Sequence, residues 1–156
     1  MTDMPATAPP ASGIVRVVQG TIALMERIPY SLIAFVARVS AAGVFWQSGR
    51  TKIDGWRVND TAIMLFRDEF KLPVIDPVLA AHLATYAEHA FPMLLIFGLA
   101  SRFAALALLI MTLVIQVFVY PLAWPTHGVW AACFLLIMTR GPGMISLDCL
   151  IAQRFR

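Results

Sequence analysis

The sequence predicts an all-α membrane protein, a polytopic four-helix bundle preceded by an amphipathic helix at the interface. Three observations carry this prediction. Of the 156 residues, 60% are hydrophobic and only 13% charged, and the mean hydropathy is +0.77. Soluble domains carry about 25% charged residues, so this chain has too little polar surface to wrap a water-soluble body of its size. The excess apolar area must face lipid. Four apolar stretches also approach the ~20 residues needed to cross a ~30 Å hydrocarbon core. Finally, nothing alternates with the period of a barrel strand, and in lipid a helix satisfies its own backbone where an open strand cannot. The length allows one domain.

Residues 1–13 (MTDMPATAPPASG) are rich in Pro, Ala and Thr and read as a disordered tail. They lack a basic region ahead of an apolar core, so they do not read as a secretory signal. Over 14–28, Ile14, Val17, Val18, Ile22, Met25 and Ile28 share one face, with Arg16, Gln19, Glu26 and Arg27 opposite. That pattern is an amphipathic helix, too polar to span and suited to the membrane surface. The membrane domain proper covers 29–150.

Its first span, 29–49, is interrupted by a single charge, Arg38. The second, 77–99, contains His82, Glu88, His89 and Pro92. Ser101 and Arg102 turn the chain into the third, 103–120, whose main polar residue is Gln116. Pro121 and Pro125 break the chain near the start of the fourth and shortest, 124–139. The long loop, 50–76, holds five basic and five acidic residues and can form a short surface helix over 62–70. Trp46, Trp56, Tyr120, Trp124 and Trp130 gather toward that side, as an interfacial aromatic belt does. The opposite side collects six arginines, at 16, 27, 102, 140, 154 and 156. An excess of one basic residue places both termini in the cytoplasm under the positive-inside rule.

The net charge of +3 does not imply nucleic acid, because the twelve Lys and Arg form no run that would track a phosphate backbone. Cys133 and Cys149 form no CxxC and have no metal-ligand spacing. The eight methionines form no copper-type cluster and read as gap fillers. No dinucleotide fingerprint, phosphate loop, nucleophile elbow or HExxH is present, so the chemistry of soluble enzymes is not indicated.

The informative residues are those the bilayer should reject. With antiparallel spans centred near 39 and 88, Arg38 and Glu88 fall at about the same depth. A mid-membrane charge costs roughly 2.5–3.5 kcal/mol even on lenient scales and turns inward to a partner, so an Arg38–Glu88 ion pair is expected. It can be a packing clamp or part of a site, and His89 beside it makes a third candidate. His82, Tyr86 and His89 share a helix face, although His82 and His89 lie about 10 Å apart along the axis, too far to share a metal ion. A second polar layer of Gln47, His82, Tyr86, Gln116 and His127 can hold a quinone head group or, less favoured, a haem or a metal through His82 and His127. Ordinary interhelical hydrogen bonding is the simpler account of any single member of such a layer.

In these features the chain resembles the DoxX family of small bacterial membrane proteins, related to the DoxD-like and SURF4-like groups. Arg38, Phe45, Gly49 and Lys52 follow the R-x3-G-x2-F-x3-G-x2-K pattern, with Ala42 at its first glycine. Ala87-Glu88 matches the acid of the second helix, and Gly98-Leu99-Ala100-Ser101-Arg102-Phe103-Ala104-Ala105 matches the GLxTRxAA turn. Arg140-Gly141-Pro142-Gly143 with Ser146-Leu147-Asp148 matches the terminal GPGxxSLD. The likeness covers about residues 30–150. Where many members have glycines after the helix acid, this chain has Phe91 and Pro92, which puts close helix approach there in question and predicts a kink.

The resemblance implies four spans in a bacterial inner membrane and a redox-associated accessory role. The expectation is therefore a subunit whose polar core, Arg38, Glu88 and His89, receives a quinone or similar carrier. The bilayer and protein partners surround it, and a homo-oligomer is compatible with it. The rival reading is a non-catalytic scaffold that recruits redox, stress-response or metal-handling partners through the 50–76 loop.

Overall fold

The computed structural model describes residues 13–155. The expected tail lies outside them except for Gly13, which opens the first helix. Helix α1 spans Gly13–Met25 and buries none of its residues. Helix α2, Tyr30–Arg50, begins after Pro29, whose extended backbone stops any continuation from α1. A two-stranded hairpin follows, β1 (Ile53–Asp54) on β2 (Arg57–Val58), turning through Gly55. Strands of two residues are too short to show an alternating pattern.

Asn59 caps α3 (Asp60–Met64) by accepting from the Ala62 amide at 2.7 Å, and the chain continues as a π-helical turn, Leu65–Phe70. The surface helix expected over 62–70 is thus present, begun two residues earlier by its cap. Asp76 accepts from the amides of Val78 and Leu79 and starts α4, Pro77–Phe97, with Pro77 in its first turn. The helix continues through Pro92, which is buried, and ends at Gly98.

Helix α5, Ser101–Val114, runs on into a π-helical turn, Ile115–Val119. A 3-10 turn, Pro121–Ala123, leads into α6, Trp124–Arg140. A short α7, Leu147–Arg154, closes the described chain and was not anticipated.

Helix α2 packs against α4 and α6, and α5 packs against the same two. Their shared core is built from small residues with a few large ones between: Ala37, Ala41, Ala42 and Phe45 of α2 meet Leu95, Ala104, Leu108, Phe134 and Ile137. Small side chains bring helix backbones close when no water is present to drive association. Outward-facing residues such as Leu83, Phe103, Ile110, Leu113 and Val117 are exposed.

Three segments are long and apolar enough to cross a membrane: Tyr30–Arg50, Ser101–Val119 and Pro121–Arg140. Helix α4 has the length of α2, 21 residues, but is not among these three, and it carries Glu88 and two histidines.

Candidate functional site

The buried face of α2 reads Arg38, Ala42, Phe45, Gly49 and, just past the helix end, Lys52, spaced alternately by four and three residues. That spacing aligns them in one stripe. The stripe carries two cations, and the structure separates them. Ser48 lies beside Glu88, so Arg38, ten residues earlier, sits about 15 Å of helix rise away.

The expected Arg38–Glu88 pair is therefore not formed. Equating the midpoints of the two apolar segments misjudged their stagger. The Arg38 guanidinium instead donates to the Leu95 carbonyl at 3.0 Å and to that of Ile145. It is 1% exposed. Around it, the Asp148 carboxylate accepts from the Ala100 and Ser101 amides at the start of α5, and the Asp148 amide donates to Gly98 O. Gly98 has φ +69, and a Cβ there would meet an Arg38 nitrogen at 2.3 Å. Arg38, the GLAS turn and the SLD segment are thus one closed clamp.

Glu88 instead pairs with Lys52, Nζ to Oε2 at 2.7 Å, and it accepts from the Ser48 hydroxyl at 3.2 Å. Lys52 also donates to Ser48 Oγ at 2.8 Å. Both charged residues are at most 5% exposed. Close approach of α2 and α4 here depends on Gly49, whose added Cβ would meet His89 Cε1 at 2.8 Å. The glycine supplies from α2 the room that Phe91 and Pro92 do not supply from α4.

Two spaces meet at Glu88. One is a cavity of about 140 Å³ lined by Ser48, Lys52, Glu88, Tyr120, His127 and Trp130, among others. The other is an almost wholly apolar groove of about 280 Å³, walled by α4, α5 and the π-turn of residues 65–70. Glu88, Phe70 and Ile115 line both. Phe70 stacks edge-on against Tyr120, centroids 5.9 Å apart, and the Tyr120 hydroxyl donates to Glu69. That bond, and to a lesser degree burial, pushes the Tyr120 phenol above its ordinary pKa.

On the far wall, Gln116 donates to Pro121 O at 2.6 Å, which turns its own carbonyl toward His127 Nδ1, also at 2.6 Å. Because that oxygen only accepts, Nδ1 of the neutral His127 ring holds the proton, and Nε2 is an acceptor with no hydrogen-bond partner among the described residues.

Of the expected polar layer, Gln116 and His127 share a hydrogen bond, and His82 and Tyr86 lie ring to ring at 6.3 Å on α4. Gln47 and Tyr86 are exposed, and His82 bonds to Val78 O of its own helix at 2.8 Å. No group of three or more His, Cys, Asp or Glu is placed to hold a metal among the described residues. His89 follows Glu88 in sequence but lines a different pocket, with Trp46. The sequence reading missed Lys52 as a site residue. Its signal was its place in the α2 stripe, since Lys52 continues the face that begins at Arg38.

A family model, DoxX, matches residues 33–121, more than half of the chain. An uncharacterized protein of Haemophilus influenzae is 30% identical over 140 residues, covering 83% of this chain and 89% of that one. No solved structure matches. The chain belongs to the DoxX family.

Proposed function

We propose that this DoxX-family chain is a four-span protein of the bacterial cytoplasmic membrane, accessory to a redox enzyme, that receives a quinone-class carrier at Lys52 and Glu88. The observation that carries the reading is the placement of Glu88 between an apolar groove on one side and a small polar cavity on the other. An amphiphile with a compact polar head and a long tail needs both environments. Its tail lies in the groove between α4 and α5, which opens toward lipid past the exposed Leu83 and Ile110. Its head occupies the cavity.

In this reading α4 is the fourth span, its ionised residue turned inward as the bilayer demands. Helix α1 lies on the surface with Ile14, Val17, Val18 and Ile22 in the lipid interface. Both termini are cytoplasmic.

Reduction of a quinone to its quinol consumes two electrons and two protons. A redox partner supplies the electrons. The Lys52 ammonium, giving up its 3.3 Å bond to Ser48 O, donates to a quinone carbonyl oxygen, and the Glu88 carboxylate and His127 Nε2 each take a proton from bulk water and pass it to the reduced oxygens. Arg38 takes no part, and Gln116 acts by fixing the His127 tautomer.

The test is quenching of the cavity's Trp130 by a short-chain ubiquinone added to detergent-purified protein. Lys52→Met/Glu88→Gln, which keeps the pocket neutral, should weaken binding about tenfold or more while helicity is retained. Unchanged binding by the double variant would sink the site. If the wild-type protein binds no quinone yet still captures its redox partner, the chain is a non-catalytic scaffold.

A further inference from the structure

A second cavity, of about 560 Å³, opens between α2, α4 and the hairpin and shares no lining residue with either space at Glu88. Trp46, Arg50, Trp56, Tyr86 and His89 line it. Arg50 is the last residue of α2 and is exposed, and the one ion pair among the described residues is Lys52–Glu88, so Arg50 holds no acid. His89 donates from Nδ1 to Thr85 O at 2.7 Å, and its Nε2 is buried with no hydrogen-bond partner among the described residues. A carbonyl accepts only, so the proton is on Nδ1 and Nε2 is an acceptor awaiting a donor.

We propose that this cavity is a binding site for an anionic phospholipid with a hydroxyl-bearing head group. Three features converge on that ligand. A cation at the end of a span sits at the depth of the lipid phosphates, and a guanidinium grips phosphate with paired N–H groups. Trp46, one turn before the end of α2, and Trp56 in the hairpin supply the amphipathic rings that settle at the head-group level. The unpartnered Nε2 of His89 accepts from a head-group hydroxyl, as in phosphatidylglycerol. The cavity exceeds what a bare phosphate fills and is walled by Ala90 and Met93 on α4, which suits the glycerol and upper acyl region. The inference requires a bilayer around the chain but not the quinone reading.

The protein is reconstituted in nanodiscs holding equal phosphatidylglycerol, phosphatidylmethanol and phosphatidylcholine, and the lipid kept on release is weighed by native mass spectrometry. The wild-type chain should retain them in that order of preference. Arg50→Ala should cut phosphatidylglycerol retention about tenfold, the loss expected for a charge-assisted hydrogen bond. Arg50→Lys should keep part of it. Arg57→Ala, a cation on the hairpin outside the cavity, should keep all of it. His89→Phe should close the gap between phosphatidylglycerol and phosphatidylmethanol, because the latter has no free hydroxyl. Equal retention of anionic and zwitterionic lipid by the wild type, or no loss in Arg50→Ala, overturns the proposal. So does full displacement by millimolar inorganic phosphate, which would make the ligand a free anion.

Discussion

Near one end of the α2–α4 contact Arg38 is buried without an acid, held by the carbonyls of Leu95 and Ile145 and packed against Gly98. About 21 Å along the same stripe Lys52 is buried against Glu88, beside a cavity of about 140 Å³. Both solve the problem of a cation in a low-dielectric interior. The first solution is closed: the neighbouring Asp148 is occupied in capping α5, and the terminal segment fills the space. The second leaves room, with Ser48, Tyr120 and His127 around it. A buried charge alone therefore does not mark a site. A buried charge with space and further polar groups beside it does.

That contrast can be broken by mutation. Lys52→Met alone leaves Glu88 without its cation and should destabilise the protein by roughly 3–5 kcal/mol, the usual cost of orphaning a buried ion. Adding Glu88→Gln should recover most of the loss, as measured by thermal unfolding in detergent. If the double variant is as unstable as the single, the pair is held by more than its charge. Arg38→Met has no such rescue, because it strands carbonyls rather than an acid. It should cost about 3 kcal/mol by the same measurement, and restoration of its stability by Asp148→Asn would contradict the closed clamp.

Gly98→Ala comes next in size. The left-handed backbone and the contact with Arg38 should together cost about 1–2 kcal/mol. Gly43→Ala, in a helix with nothing within 4 Å of the added methyl, should be neutral or slightly stabilising.

The smallest effect is expected at the cover of the open region, where Tyr120 meets Glu69. Tyr120→Phe should leave stability within about 1 kcal/mol of wild type but speed amide exchange across residues 65–70. The raised phenol pKa favours the protonated, donating form in the folded protein. This contribution is fully present below the unfolded value of about 10 and is lost as pH rises through the higher folded value. An ultraviolet titration in which Tyr120 ionises below the other tyrosines would contradict it.

Much of the fold was legible because its cause is local. Cap residues and prolines fixed the start of α3 and α4, and apolar length fixed the long helices to within a few residues. The site was half legible. Glu88, Gln116 and His127 stood out as polar groups where lipid would reject them. Gln47 and Tyr86 drew the same inference but are exposed, and His82 bonds back to Val78 O of its own helix. Lys52 was overlooked because it falls past the apolar segment, in what reads as loop. Only its ion pair with Glu88 and its bond to Ser48 join it to the core.

What the sequence by itself determined is that the chain is helical, that lipid is its main solvent, and that a few charges must be hidden. The tertiary structure decided which charge meets which. Hydrophobic length says that a helix is long enough to cross but says little about how far it slides past its neighbour. That stagger is set by Gly49 against His89 and by Gly98 against Arg38, contacts between residues distant in the chain. A slide of ten residues, about 15 Å, moves Glu88 from beside Arg38 to beside Ser48, where Lys52 reaches it, and with it the place where any chemistry can occur.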